Sequence, residues 1–342
     1  MVHSDWLAMA KATSRRLATL AMLPFVRGYS TATQVAEKYT PLRKHATLFS
    51  PARVDELLHP EFLAMLQSLD AADLMGTDPA AVIKGWVTEE AAEIYSFPLL
   101  TEKACDMLCD EVEHFQTTGL PARRPNSMNN YGIILNEIGL KEALSVLQSS
   151  IAPVARALFP VEGQSLDDHH SFVVSYKPSE DKGLDMHTDD SDCTLNVCLG
   201  KEFEAAGLTF CGNAGAPEHR LQSIQYSHAR GRALLHLGRR RHGADDITEG
   251  HRLNLIMWNY NAELRRDPKF RARPFFVEKS RPDPVCVSFT HDRDYEAIKG
   301  QARPEGHEKF ARLAWCPPPA AEYAGFEGTA GRYRDLLDES ID

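Results

Sequence analysis

From residue 171 onward the chain changes rhythm, and that change restricts its fold more than any other feature. SFVVSYK (171–177), CTLNVCL (193–199), GLTFC (207–211), LQSIQY (221–226), RALLHL (232–237) and RLNLIMWNY (252–260) are short β-branched or apolar runs. Gly, Pro, Asp and Asn separate them, residues that turn the backbone or weaken a sheet interior. Strands at this pitch, with no helix-length segment between them, disfavour a doubly wound parallel sheet, which needs β-α-β alternation. They predict a mainly β domain with flanking helices, a double-sheet jelly roll or a barrel.

The upstream half keeps the helical period. In LLTEKACDMLCDEVEHF (99–115) the apolar positions 104, 108, 112 and 115 share one face; Thr101 is the expected N-cap, and Gly119 with Pro121 ends the element. A second helix spans 140–158 through Leu140, Leu144, Leu147, Ile151 and Leu158, with Pro153 expected to kink or break it. Short helices are expected at 54–58 and 61–66. The organisation read from this is a leader or loose extension at 1–34, a helical N-terminal segment at 35–98, a catalytic jelly-roll domain with support helices at 99–262, and a C-terminal cover and tail at 263–342 containing Pro317-Pro318-Pro319.

Residues 1–30 hold Lys11, Arg15, Arg16 and Arg27, and no acidic residue falls between Asp5 and Glu37. That is the composition of a mitochondrial presequence, of a weak secretory signal and equally of an amphipathic N-terminal helix; the residues leave these open. The longest apolar run, Leu17 to Val26, contains Pro24 and is too short for a membrane span. A net charge of −10 argues against the broad basic footprint of a nucleic-acid binder. Seven cysteines without a CxxC pair read as reduced thiols in an intracellular, reducing compartment. Cys105 and Cys109 could share a helix face, but a zinc site would need two further ligands that the sequence does not offer.

The candidate chemistry lies between His187 and Arg252. His187 and Asp189 stand two apart where a strand runs into the turn Asp190-Ser191-Asp192, and His242 sits at the end of a basic strand, just before Gly243. Two imidazoles and one carboxylate on one side of a metal leave positions open for a cosubstrate and O₂, the facial triad of non-haem Fe(II) oxygenases. Ten residues past His242, across the reversal GADDITEG, Arg252 opens the next strand. A guanidinium placed there can bind the far carboxylate of a chelating dicarboxylate bidentately. Tyr176 is a candidate hydrogen-bond donor to that cosubstrate, with Asn196 and Thr194 as weaker ones.

Other residues have blander readings. His236 lacks the arginine spacing and reads as a buried structural histidine; His169 and His170 read as exposed or as neighbours of ligands; Asp190 and Asp192 lack the spacing of Asp189. Arg239, Arg240 and Arg241 read as a solvated strand edge, or more sharply as a landing patch for an acidic substrate. In RRPNSMNNYG, Asn129, Asn130 or Tyr131 could touch ligand, but a structural turn leading into the strand 132–135 is the favoured reading.

The segments HTDDSDCTLNVCLG and ALLHLGRRRHGADDITEGHRLNLIMW resemble the prolyl/lysyl-hydroxylase branch of the Fe(II)/2-oxoglutarate oxygenases. EVEHFQTTGLPARRPNSMNNYGIILNEIGL is similar to the group termed 2-oxoglutarate and iron-dependent oxygenase domain-containing proteins, which carries the RPN-x-MNNYG signature. The resemblance covers roughly residues 55–262. It implies a double-stranded β-helix core, iron on the positions of His187, Asp189 and His242, and 2-oxoglutarate on that of Arg252. It further implies Fe(II), 2-oxoglutarate and O₂ dependence, use of L-ascorbate, and decarboxylation to succinate coupled to oxidation of an acceptor it does not name. Two other classes compete: a degenerate jelly roll serving as a binding scaffold, and a cupin-like isomerase or zinc hydrolase, which would need no arginine at that spacing.

Overall fold

The computed structural model describes residues 32–126, 128–213 and 224–267. The expected leader lies outside them, apart from residues 32–34, and so does the tail beyond residue 267.

The described chain opens with helix α1 (Ala32–Tyr39) and a series of 3₁₀ turns, followed by α2 (Pro60–Met75) and α3 (Pro79–Ile83). Strands β1 (Thr88–Ala91) and β2 (Ile94–Pro98) precede α4 (Glu102–Thr117). Then come β3 (Gly132–Ile134), α5 (Lys141–Leu158), β4 (Asp168–Tyr176), β5 (Leu184–His187), β6 (Cys193–Gly200), β7 (Phe203–Ala205) and β8 (Leu208–Asn213). After the undescribed stretch follow β9 (Ile224–Tyr226), β10 (Arg232–Leu237), β11 (Arg240–Ala244), β12 (Ile247–Gly250), β13 (Arg252–Tyr260) and the short α6 (Ala262–Arg266).

Local chemistry explains the helix limits. Thr101 caps α4 by accepting from the amide of Ala104 at 3.2 Å, as its position suggested. The α4 face that carries Ala104, Leu108, Val112 and Phe115 is buried. Proline 60 stands in the first turn of α2, where its missing N–H costs nothing, and Gly76 ends it at φ 66°. The short helix expected at 54–58 is a 3₁₀ helix, Pro51–Leu57. Pro153 does not break helix α5, which runs through it; burial of Ile151, Val154 and Ala155 around the proline offsets the single backbone bond it removes. The segment 35–98 is not purely helical either, since it contributes β1 and β2.

The strands form a seven-stranded sheet ordered β1-β2-β10-β6-β13-β4-β3, a four-stranded sheet ordered β5-β11-β8-β9, and a ribbon of β12 with β7. Every pairing is antiparallel. Apart from the β7–β12 ribbon and the paired β8 and β9, which both lie in the small sheet, the chain from β4 to β13 passes back and forth between the large and the small sheet, which makes the core a double-stranded β-helix, or jelly roll. Helices cover the outer face of the large sheet. Leu195, Val197, Leu235, Leu253, Leu255 and Met257 pack there against Leu108, Val112, Leu144 and Ile151. The inner face meets the small sheet through Phe172, Val174, Leu234, Ile256, Leu208 and Phe210. Strand β6 is therefore buried along its whole length, and β13 nearly so. Each buried side chain of Leu, Ile or Phe size contributes roughly 1.5–3 kcal/mol. Against that background the polar residues on the inner face stand out, and they mark the site.

Candidate active site

Alternation along β13 turns Leu253, Leu255 and Met257 toward the helices, and Arg252, Asn254, Ile256 and Trp258 toward the jelly-roll interior. Val174 and Tyr176 of β4 and Thr194 and Asn196 of β6 face the same space. From the small sheet come His187, ending β5, and His242 on β11; Asp189 follows β5. These side chains line one cavity that opens to solvent, with about 420 Å³ of empty space counted out through its mouth.

Direct pairing of His187 with His242 across β5 and β11 places their rings 4.4 Å apart, centroid to centroid. Asp189 reaches back past the strand end. Its Oδ1 lies 3.4 Å from His187 Nε2 and its Oδ2 3.6 Å from His242 Nε2. One ligating atom from each of the three lies within 4.8 Å of the others. Two donor atoms about 2.1 Å from a common ion are roughly 3–3.4 Å apart at right-angle to tetrahedral bond angles, so the observed spacing suits one metal ion. His242 donates from Nδ1 to the carbonyl of Arg240 at 2.9 Å, which leaves Nε2 with its lone pair toward the cluster. Thr194 donates to Asp189 Oδ2 at 2.6 Å and fixes the carboxylate from the other side.

The electrostatics match a ligand set ready for a cation. Burial pushes the His242 pKa down to about 3, against the opposing pull of Asp189, so the imidazole is neutral at ordinary pH. Burial alone would raise Asp189, but the neighbouring His242, then the hydrogen bond from His187, hold its carboxyl well below the usual range.

At the far end of the β13 row Arg252 is 1% exposed. Its guanidinium carbon stands 4.4 Å from the Tyr176 ring centroid, and one terminal nitrogen donates to the carbonyls of Ala206 and Gly207. Its Nε has no partner, and among the described residues no carboxylate lies within ion-pair distance. Burial lowers its pKa from the ordinary arginine range. A cation kept from water without a counter-charge favours an anionic ligand. Tyr176 is also buried; burial raises its pKa despite Arg252, which keeps the phenol protonated. Asn196 lines the same wall and accepts from Asn254 Nδ2 at 2.6 Å.

Several residues differ from their sequence reading. His242 lies within β11, not at its end, and GADDITEG is not a bare reversal, for it contains β12. Arg240 and Arg241 are 3% and 0% exposed, so they form no solvated edge or landing patch. Only Arg239 reaches outward, bonding Glu162 at 3.0 Å. Buried at 4% exposure, His169 is held by Ser171 Oγ at 2.7 Å and Ser145 Oγ at 3.1 Å, and alternation along β4 turns it to the helix-covered face, opposite Phe172, Val174 and Tyr176. His236 is buried as expected, its Nδ1 2.9 Å from the Leu237 carbonyl, but it sits on β10 and its ring centroid is 4.7 Å from that of His242. The RPN-x-MNNYG loop is more than a turn. Asn126 and Asn129 line the cavity, and Asn129 donates to the Tyr176 hydroxyl at 3.1 Å. Sequence reasoning also missed Asn254 and Trp258; their i, i+2, i+4, i+6 spacing from Arg252 on one strand was the available signal.

The sequence is similar to known proteins. A family model described as OGFOD2-like domain matches residues 35–164. The 2-oxoglutarate and iron-dependent oxygenase domain-containing protein 2 of Danio rerio is 34% identical over 268 residues, spanning 77% of this chain and 75% of that protein. The chain belongs to the 2-oxoglutarate and iron-dependent oxygenase domain-containing family. A Homo sapiens member is 36% identical over 232 residues, covering 66% of this chain and 63% of its own. The Arabidopsis thaliana relative ICU11 is 40% identical over 190 residues, and the chain spans about half of that protein, 48%. Among solved structures, a Trichoplax adhaerens prolyl hydroxylase in complex with a hypoxia inducible factor peptide fragment is similar over 54% of this chain and 88% of its own, at TM-score 0.40 and 14% identity. Membership makes this protein a 2-oxoglutarate-dependent oxygenase and implies dependence on Fe(II), 2-oxoglutarate and O₂. Among the described residues, no helix is long and apolar enough to cross a membrane.

Proposed function

We propose that the protein is a hydroxylase in which His187, Asp189 and His242 hold ferrous iron and Arg252, assisted by Tyr176, seats the far carboxylate of 2-oxoglutarate. One observation carries this reading: a buried guanidinium with no carboxylate partner shares a cavity with a His-Asp-His cluster of metal-ligand spacing. A zinc hydrolase or isomerase would give that guanidinium no task, and a mere scaffold would require neither feature.

The residues divide the work. The two Nε2 atoms and the Asp189 carboxylate would hold Fe(II) as three ligands of mixed charge, a set that leaves room for a chelating cosubstrate and O₂. Thr194 and the Arg240 carbonyl hold two of those ligands in their binding orientation. Arg252 and Tyr176 select a dicarboxylate and fix its distance from the triad. Iron and 2-oxoglutarate, when bound there, would let O₂ act as the oxidant, one oxygen atom going to succinate as CO₂ leaves and the other to the acceptor. The wall nearest the triad carries Ile256, Phe172 and Trp258, which keep bulk water from the reacting position while the acceptor binds. Ascorbate is expected to sustain turnover.

The test is succinate release from 2-oxoglutarate by the full chain. Release should require Fe(II), stop in Asp189→Ala, and need at least about tenfold more 2-oxoglutarate in Arg252→Ala, the scale of a lost charge-assisted contact. Release that persists in a metal chelator, or an Arg252→Ala enzyme that saturates like wild type, would overturn the assignment.

A further inference from the structure

The loop between α4 and β3 carries a chain of amide hydrogen bonds whose direction is fixed at one end. Backbone N–H groups can only donate. Those of Met128 and Asn129 point at Asn126 Oδ1, at 2.9 and 2.7 Å. The other arm of that side chain must therefore be its NH₂, which donates to Asn129 Oδ1 at 2.9 Å. Asn129 in turn presents its NH₂ to the Tyr176 hydroxyl oxygen at 3.1 Å. An amide flip is normally ambiguous, but here the network settles both. A phenol oxygen that accepts this bond must send its own proton elsewhere. Among the described residues no protein acceptor takes that proton, and Tyr176 lines the cavity with its ring against the Arg252 guanidinium.

We infer that Asn126 and Asn129 are positioning residues that make Tyr176 an obligate hydrogen-bond donor to the 2-oxoglutarate carboxylate seated by Arg252. This rests on the reading of Arg252 as the carboxylate socket. A phenol free to rotate can donate or accept, and only the donor state helps an anion, so fixing it in advance removes an ordering cost from binding. The loop is built to hold that state. Asn129 is 1% exposed. On one side of the pair the Asn130 amide donates to the buried Asp181 at 2.7 Å, with Asn130 Nδ2 at 3.1 Å. On the other side His170 Nε2 lies 3.1 Å from the Pro125 carbonyl.

The experiment is titration of the full-length Fe(II) protein with 2-oxoglutarate under argon, for wild type, Asn129→Ala, Asn129→Asp, Arg252→Ala, Tyr176→Phe and the Asn129→Ala/Tyr176→Phe pair. Asn129→Ala should weaken binding about 3- to 10-fold, the range of one neutral hydrogen bond. Asn129→Asp, which keeps the shape, should weaken it further, because its carboxylate captures the Tyr176 proton and adds a negative charge. In the Tyr176→Phe background Asn129→Ala should cost less than about twofold more, since coupled residues are non-additive. Unchanged iron binding and unfolding midpoints separate this from misfolding, which the isosteric Asp variant is least exposed to. Wild-type affinity in Asn129→Asp, or an undiminished Asn129→Ala effect in the Tyr176→Phe background, overturns the inference. If Arg252→Ala loses binding while the Asn129 variants keep it, only this inference fails; if wild type does not bind 2-oxoglutarate, the socket reading fails.

Discussion

Burial sets the protonation state of His242 in the metal-free chain. Its pKa falls from 6.5 to about 3 inside the protein, so between those values the unfolded chain binds a proton that the folded, metal-free chain refuses. Stability from this residue is complete above pH 6.5 and is lost as pH falls toward 3. At pH 5 the loss approaches about 2 kcal/mol from this ring alone. Burial also lowers His236 and His169, which adds in the same direction. The metal-free protein should therefore have a lower unfolding midpoint at pH 5 than at pH 7.5, and His242→Leu should flatten that dependence. An equal pH slope in wild type and His242→Leu would contradict it. The same scale shows why the arginine run was misread. Sequence cannot tell a solvated Arg240 or Arg241 from one buried on a strand covered from both sides, as these are.

At the scale of elements, α4 does two jobs. One face supports the large sheet, and on it the fully buried Glu111 gathers the N-terminal segment. Its carboxylate accepts from the Tyr39 hydroxyl, from the Lys44 amide at 3.1 Å and from the His45 amide at 2.7 Å. Burial, then the bond to Glu111, pushes the Tyr39 pKa upward, so the phenol stays a donor. Glu111→Gln replaces an acceptor with an NH₂ facing backbone donors. It should cost roughly 1–3 kcal/mol by chemical denaturation and expose residues 32–50 to protease. An unchanged denaturation midpoint would remove Glu111 from this role. The anchor was not legible beforehand, because Glu111 lies more than 60 residues from its partners and looks like any helix-surface acid. By contrast Thr101, the apolar stripe of α4 and the turn after His187 were legible, because each depends on neighbours within one turn of chain.

Across the whole molecule, the two-sheet core was readable because six apolar runs separated by turn residues leave few alternatives. Their strict alternation was not, since helices bury the outer face of β6 and β13 as thoroughly as the small sheet buries the inner one. The meeting of His187, Asp189, His242 and Arg252 in one cavity depends on strand register across two sheets, which spacing suggests and only pairing decides. The part of the site built from Asn126 and Asn129 comes from a separate loop, and no local pattern ties it to Tyr176. The central claim is that two imidazoles and one aspartate hold a single ferrous ion in this cavity. It is tested most directly by equilibrium Fe(II) binding to the full chain under argon. The account predicts a single equivalent per chain, lost in both Asp189→Ala and His242→Ala while each variant stays folded; a full equivalent retained by either would contradict it.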